Sequence, residues 1–233
     1  MQLAPATRVQ ALLANIPLFK ELEADQLERI AEQTRAVRPE RGAILFHRGD
    51  APGGFHYVVY GQVKLGFVSP RGDEKVVEIL GPGQSFGEAV MFMERPHVVT
   101  ATAIADSMLL NIGKEAIFDQ LARDPRFARR MIAGLASRLH HLVADVEAYS
   151  MHSGTQRVIG FLLSCHGGEL PADPAAGLEI TLPTTKGVIA SRLNLTQEHF
   201  SRILHELSAQ GLITVNARVI RVNRLDRLQS YAP

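Results

Sequence analysis

The chain has 233 residues, 46% of them hydrophobic and 21% charged, with a formal net charge of +1. This length gives one or two domains with a sizeable core, and a net charge so near zero says nothing by itself about nucleic acid. No apolar run reaches the ~18 residues of a membrane span, the N-terminus lacks the apolar stretch of a signal peptide, and the single cysteine, Cys165, excludes an internal disulfide or a Cys-rich metal cluster, so a reducing, cytoplasmic location without a membrane partner is expected.

Residues 8 to 35 carry apolar side chains at helical spacing: Leu12, Leu13 and Ile16, then Leu22, Leu27, Ile30 and Ala31. Pro39 and Gly42 close that region. From there to Ile112 the pattern is short β-type runs divided by Gly, Pro and Asp: Ala43–His47, Phe55–Tyr60, Val63–Val68, Lys75–Leu80, Val98–Ala103 and Met108–Ile112. Strands at such spacing predict an antiparallel barrel or roll. Residues 114 to 150 turn helical again. Ile132, Leu135, Leu139, Leu142, Val146 and Tyr149 are spaced 3, 4, 3, 4 and 3 residues apart, which is a heptad seam and predicts a partner helix in a homodimer. Ser153-Gly154 marks a hinge, followed by a helix over Gln156–Ser164, a Gly/Pro/Ala-rich loop over Gly167–Gly177 and a strand over Leu178–Leu182.

The most informative stretch is Lys186 to Leu207. Two short apolar-periodic helices meet at a tight turn, the pattern of a helix-turn-helix. Ala190 stands where two helices approach closely. Asn194 takes the turn position that requires positive φ, where asparagine is the most tolerant residue after glycine. Thr196 is the N-cap of the second helix, whose buried face is Phe200, Ile203 and Leu207. Gln197, Glu198, Ser201, Arg202 and His205 share its exposed face, the face that enters a major groove. Arg202 suits guanine O6 and N7, Glu198 suits a cytosine amino group or the orientation of Arg202, and Ser201 suits a thymine methyl or a phosphate. Gly211 ends the helix, and Leu212–Val215 with Arg218–Val222 read as a wing. Residues 184 to 233 carry a net +4 and the remainder −3, so positive charge gathers where phosphates must be neutralised. Lys186 and Arg218 join Thr196, Gln197, Glu198, Ser201, Arg202 and His205 as candidate contacts to double-stranded DNA.

These elements give an α+β fold: N-terminal helices and an antiparallel β-roll over residues 1–113, a dimerisation helix over 114–150, and a winged helix over 151–233. The order resembles the Crp/Fnr family of bacterial transcription regulators over nearly the whole chain. The carrying motifs are Gly61-Gln62-Val63-Lys64-Leu65, Gly83-Gln84-Ser85-Phe86-Gly87-Glu88-Ala89 and the helix-turn-helix. The recognition helix looks like the Fnr branch, whose Glu-x-x-Ser-Arg is Glu198, Ser201 and Arg202 here. The resemblance implies a palindrome close to TTGAT-N4-ATCAA, and contact with RNA polymerase if the protein is an activator.

The resemblance also bears on the input. Cyclic-nucleotide-binding members hold the phosphate with an Arg-Ser or Arg-Thr pair, and here Val98, Val99 and Thr100 stand at those positions, so a cyclic nucleotide is not expected. Gly87, Glu88, Val98, Val99 and Thr100 remain the candidate effector-pocket residues. One cysteine cannot ligate an iron–sulfur cluster of the Fnr pattern. Glu88-Ala89-Val90-Met91-Phe92-Met93 followed by Val99-Thr100-Ala101-Thr102-Ala103 looks like the DNR/NNR-type denitrification regulators, which implies nitric oxide sensing through haem. Candidate axial ligands by residue type are His56, His97 and His166, with His47, Met91, Met93 and Cys165 behind them. No nucleophile elbow, metal-spaced cluster or phosphate loop is present, so an enzyme is not expected. The reading from another class is a ligand-binding module whose winged helix makes protein contacts only.

Overall fold

The computed structural model describes residues 5–68, 74–165 and 177–231. The chain divides into two compact units, one ending at His140 and the other beginning at His141. Among the described residues no helix is long and apolar enough to cross a membrane.

In the first unit, α1 (Pro5–Leu13) and α2 (Ala24–Glu32) precede the roll. α2 opens on a reciprocal cap between Glu23 and Gln26 and buries Leu27, Ile30 and Ala31, the one-face periodicity the sequence carries. The helical reading of 8 to 35 extends too far. The chain leaves α2 at Glu32 and forms β1 (Thr34–Val37), which pairs with β8 from Thr34↔Ile112 to Val37↔Leu109. β-branched Thr34 and Val37 favour that strand, but its partner lies far along the chain and cannot be read locally.

The roll continues with β2 (Ile44–Phe46), β3 (Gly54–Tyr60), β4 (Val63–Val68), β5 (Glu74–Leu80), β6 (Ser85–Phe86), a short α3 (Glu88–Phe92), β7 (Thr100–Ala103) and β8 (Met108–Gly113). Two four-stranded antiparallel sheets, β1-β8-β3-β6 and β2-β7-β4-β5, face each other. Phe46, Val58, Val63, Leu65, Leu80, Phe86, Ala101 and Leu109 fill the space between them. Gly61 sits at φ 87°, and a Cβ there would collide with Ser107, so the Gly61-Gln62 turn has no room for another residue.

The helical stretch expected from 114 to 150 is two helices, α4 (Lys114–Arg123) and α5 (Pro125–Met151). Pro125 lacks an N–H and holds the preceding Asp124 in extended backbone, φ −132° and ψ 99°. The Asp124 carboxylate then accepts from the Arg126 N–H at 2.9 Å and caps the new helix. Phe127 and Met131, in the first two turns of α5, are buried with Phe19 and the N-terminal helices. Beyond them the apolar face is open. Ile132 is 66%, Leu139 64%, Leu142 44% and Val146 63% exposed, while Leu135 is half-buried. The Tyr149 side chain lies outside the described residues.

The second unit holds the end of α5, then α6 (Gly154–Ser164), β9 (Leu178–Thr181), α7 (Lys186–Arg192), α8 (Gln197–Ala209), β10 (Ile213–Asn216), β11 (Val219–Val222) and α9 (Leu225–Gln229). Its sheet runs β10-β11-β9, all antiparallel. Ser153, expected as part of a hinge, is the N-cap of α6, with Gln156 closing the reciprocal cap. One core of Val158, Leu162, Ile180, Ile189, Ala190, Phe200, Ile203, Leu207 and Ile220 unites helices and sheet.

Candidate nucleic-acid interface and effector pocket

α7 and α8 form the candidate interface, and the turn between them is built by local chemistry. Thr185 caps α7, its hydroxyl accepting from the Val188 N–H. Ala190 is buried at the crossing, and Asn194 takes φ 57°, the conformation that lets the chain reverse within the turn. Thr196 then caps α8, accepting from the His199 N–H at 3.1 Å. Phe200, Ile203, Leu204 and Leu207 face the core, which fixes which side chains face outward.

Outward stand Thr196, Gln197, Glu198, Arg202 and His205, all exposed, with Ser201 and Lys186 half-buried. Gln197 lies across the turn: its Oε1 is 2.8 Å from where a Cβ on Gly187 would sit. Arg202 is 3.9 Å from Glu206, one turn on. Glu198 and Glu206 both stand four residues from Arg202 on the helix face, and it is Glu206 that the guanidinium faces. The pair is exposed and weak, so the guanidinium is available to an outside acceptor. Arg218, in the wing, gives two of its donors to the Leu182 carbonyl, at 3.2 and 2.8 Å. It ties β11 to the end of β9 and is less free than its place in the sequence suggested.

In the first unit the roll's Gly-Glu motif is internal. Gly87 caps α3 at φ 96°, and the Glu88 side chain is buried. Burial pushes the Glu88 carboxyl above its usual range, against the opposing pull of a Ser85 hydrogen bond and the Arg138 charge. Arg138 on α5 donates to the Ser85 carbonyl and to Glu78, both at 2.5 Å, and lies 3.9 Å from Glu88. No local pattern in the sequence marks Arg138 as a ligand of the roll. Its spacing, one residue before Leu139, hints at a helix flank, but its partners are 60 and 53 residues away.

The other pocket candidates divide. Val98 is 64% exposed. Val99 is half-buried against the roll core, and the Thr100 hydroxyl accepts from the Arg48 N–H at 3.1 Å. His97 is buried on the loop before them. Its ring stacks on Phe46, centroids 3.6 Å apart, and its Cε1 lies 3.7 Å from where a Cβ on Gly87 would be. Its backbone is pinned, N–H to Asp50 O and O to Gly49 N–H. Burial lowers its pKa while Asp50 raises it, the net shift being downward, and its ring nitrogens have no hydrogen-bond partner among the described residues. His56 lies deeper, stacked on Phe86 at 5.0 Å, its Nε2 2.9 Å from the Asn111 amide and its Nδ1 buried without a partner. Burial, then the neighbouring His97, hold its pKa down to about 4. Cys165 ends α6 half-buried, and burial pushes its thiol up to about 11, an unreactive state. His166 lies outside the described residues. Among those described, no three His, Cys, Asp or Glu side chains converge as a metal site.

Comparison with known proteins places these two regions. Residues 36–124 match the cyclic nucleotide-binding domain family, and residues 156–231 match the Crp-like helix-turn-helix domain family. The CRP-like cAMP-activated global transcriptional regulator of Mycobacterium tuberculosis is 23% identical over 221 residues, 95% of this chain and 98% of that protein. The crystal structure of DNR from Pseudomonas aeruginosa is 30% identical and covers all of both chains, with a TM-score of 0.51. FixK2 from Bradyrhizobium japonicum, 22% identical over 84% of this chain and 95% of its own, superposes with a TM-score of 0.71 and shares the fold.

Proposed function

The chain belongs to the Crp/Fnr family of transcription regulators, and from that premise we propose that it is a homodimeric, effector-gated regulator that reads a TTGAT-N4-ATCAA palindrome and responds to nitric oxide through haem. The observation that carries the reading is α8, which offers Glu198, Ser201 and Arg202 from its first half while Phe200, Ile203 and Leu207 anchor it. A guanidinium held only by an exposed i,i+4 acid is suited to bidentate contact with guanine. The open apolar face of α5, from Ile132 to Val146, supports a two-fold partner: a stripe of that size left to water is unfavourable, and a palindrome requires a dimer axis. Effector binding would bias the packing of α5 and so the population in which both recognition helices sit about 34 Å apart on one face of DNA. RNA polymerase is the further partner if the protein activates.

For the effector, likeness to DNR over the whole chain and apolar Val98 and Val99 in place of a phosphate-holding pair support the haem reading. The donor chemistry of His97 fits: a buried imidazole kept neutral, on a pinned backbone beside Gly87, without a competing hydrogen bond. His56 fits less well, since Asn111 already engages its Nε2. Haem would supply the iron at which nitric oxide binds, and His97 would hold it from the loop before Val98. One observation favours a second reading, a cyclic nucleotide or another small anion: Arg138 brings a guanidinium to the Gly-Glu motif from α5. That charge already faces two carboxylates, Glu78 and Glu88, which makes it a poorer anion site.

The test is a mobility shift on a TTGAT-N4-ATCAA duplex together with an absorption titration with haem. Specific retardation, and a Soret band that saturates at one haem per chain and shifts with nitric oxide, are expected. No preference for the palindrome would favour a module that contacts protein only. Absence of stoichiometric haem binding would move the effector to the second reading.

A further inference from the structure

Arg157 occupies the joint between the end of α5 and the helix-turn-helix. It lies on the first turn of α6, and its guanidinium reaches two carbonyls. Nε donates to Leu193 O at 3.1 Å, and Nη1 donates to His152 O at 3.0 Å. Leu193 is the C-cap of α7, and His152 follows the last residue of α5. The last carbonyls of a helix have no internal partner and gather the negative end of its dipole. One planar cation therefore satisfies the carboxyl-terminal ends of two helices at once. The fork of a guanidinium can span two such acceptors, whereas an ammonium acts as a point charge.

The joint itself is short. Only His152 and Ser153 separate α5 from α6, and each residue contributes two soft dihedrals. Left alone, such a link would let the helix-turn-helix rotate about the end of α5. Three features oppose that. The Ser153–Gln156 reciprocal cap fixes the start of α6. The bonds from Arg157 close a triangle from the end of α5, across α6, to the end of α7. Gly154 lies close against the reading elements: a Cβ there would lie 3.2 Å from Leu195 Cδ2 and 3.5 Å from both His199 Cε1 and Ile203 Cδ1. All of these residues belong to the unit that begins at His141.

We propose that Arg157 is the positioning residue that sets the angle at which the recognition helix leaves the dimer helix, and thereby the half-site spacing that the dimer accepts. It touches no base. Its effect passes through the carbonyls it ties, and Gly154 supplies the close contact that the tie maintains. This inference rests on the homodimer reading above.

The experiment compares binding of the full chain to palindromes with N3, N4 and N5 spacers and to a single half-site. The natural sequence should prefer N4 by roughly tenfold or more, the scale of one lost base-pair contact. Arg157→Gln should bring the three spacers to within about twofold of one another while single half-site affinity stays unchanged. Gly154→Ala, which crowds the same joint against Leu195 by volume rather than by loss of a bond, should also flatten or shift the spacer profile. It carries the test if Arg157→Gln loses half-site binding through misfolding. Arg157→Lys should not restore the preference. An N4 preference that survives in both Arg157→Gln and Gly154→Ala, with affinity merely weaker on every duplex, overturns the inference and leaves the dimer reading standing. Absence of any spacer preference in the natural sequence overturns the dimer reading itself, and the inference with it.

Discussion

The winged helix and the β-roll use polar side chains in opposite ways. On α8 the polar residues point away from the core and meet at most a helix neighbour, as Arg202 meets Glu206. In and around the roll they turn inward and are engaged by partners distant in sequence: Arg138 of α5 by Ser85 and Glu78, His56 by Asn111, and His97 by Phe46. A reading surface has to be open before its ligand arrives, because base edges are recognised by groups not already paired. The buried polar groups of the first unit instead mostly meet partners within the chain, since a buried polar group left alone is costly. The difference teaches that the candidate reading residues are displayed by local helix geometry, while the candidate effector residues are held by long-range internal contacts.

The sharpest way to break this contrast is at α5. If the chain dimerises through α5 as proposed, Leu139→Lys should leave a monomer in sedimentation and lower affinity for the proposed palindrome roughly 100-fold or more through loss of avidity. A dimer that persists would mean that the exposed stripe has another role. Next is Arg202→Ala, which should cost about 1–3 kcal/mol of discrimination per half-site while leaving salt-sensitive, non-specific binding intact. Competition anisotropy with a scrambled duplex measures it, and retained specificity would remove α8 as the reader.

The third change concerns the buried imidazole. His56 has its pKa lowered from 6.5 to about 4, so the folded state resists a proton that the unfolded chain accepts. Its contribution is fully present above pH 6.5 and is lost as pH falls toward 4, a difference of roughly 3 kcal/mol. Urea denaturation from pH 7 to pH 4 should show a shallower loss for His56→Phe than for the natural sequence. Equal slopes would mean that His56 is not buried in the neutral form. The smallest effect is local: Thr196→Ala should destabilise the winged helix by about 1 kcal/mol through loss of the N-cap, as read by thermal melting, and leave the pH slope untouched.

Much of the winged helix was legible from sequence because its signals are local. Asn194 at positive φ, Thr196 as N-cap and the buried face of α8 all depend on residues within a few positions of one another. Most roll strands were legible from alternation and turn residues. β1 was taken for helix, β6 and α3 were not distinguished, and the break at Asp124 was missed, although Pro125 announced it. Arg138 and Arg157 went unassigned as tethers, since Glu78 and Ser85 lie 60 and 53 residues from Arg138 and Leu193 lies 36 from Arg157.

By itself, then, the sequence determined the order of elements, the reading helix and the apolar seam, because periodicity and capping are written in neighbouring residues. Only the tertiary structure decided that Val98 faces solvent, that Arg218 is tied to Leu182, that His97 closes on Phe46, and that Arg157 joins the ends of two helices. Such pairings form when folding brings distant segments together, and what selects among them is the cost of leaving a polar group buried without a partner.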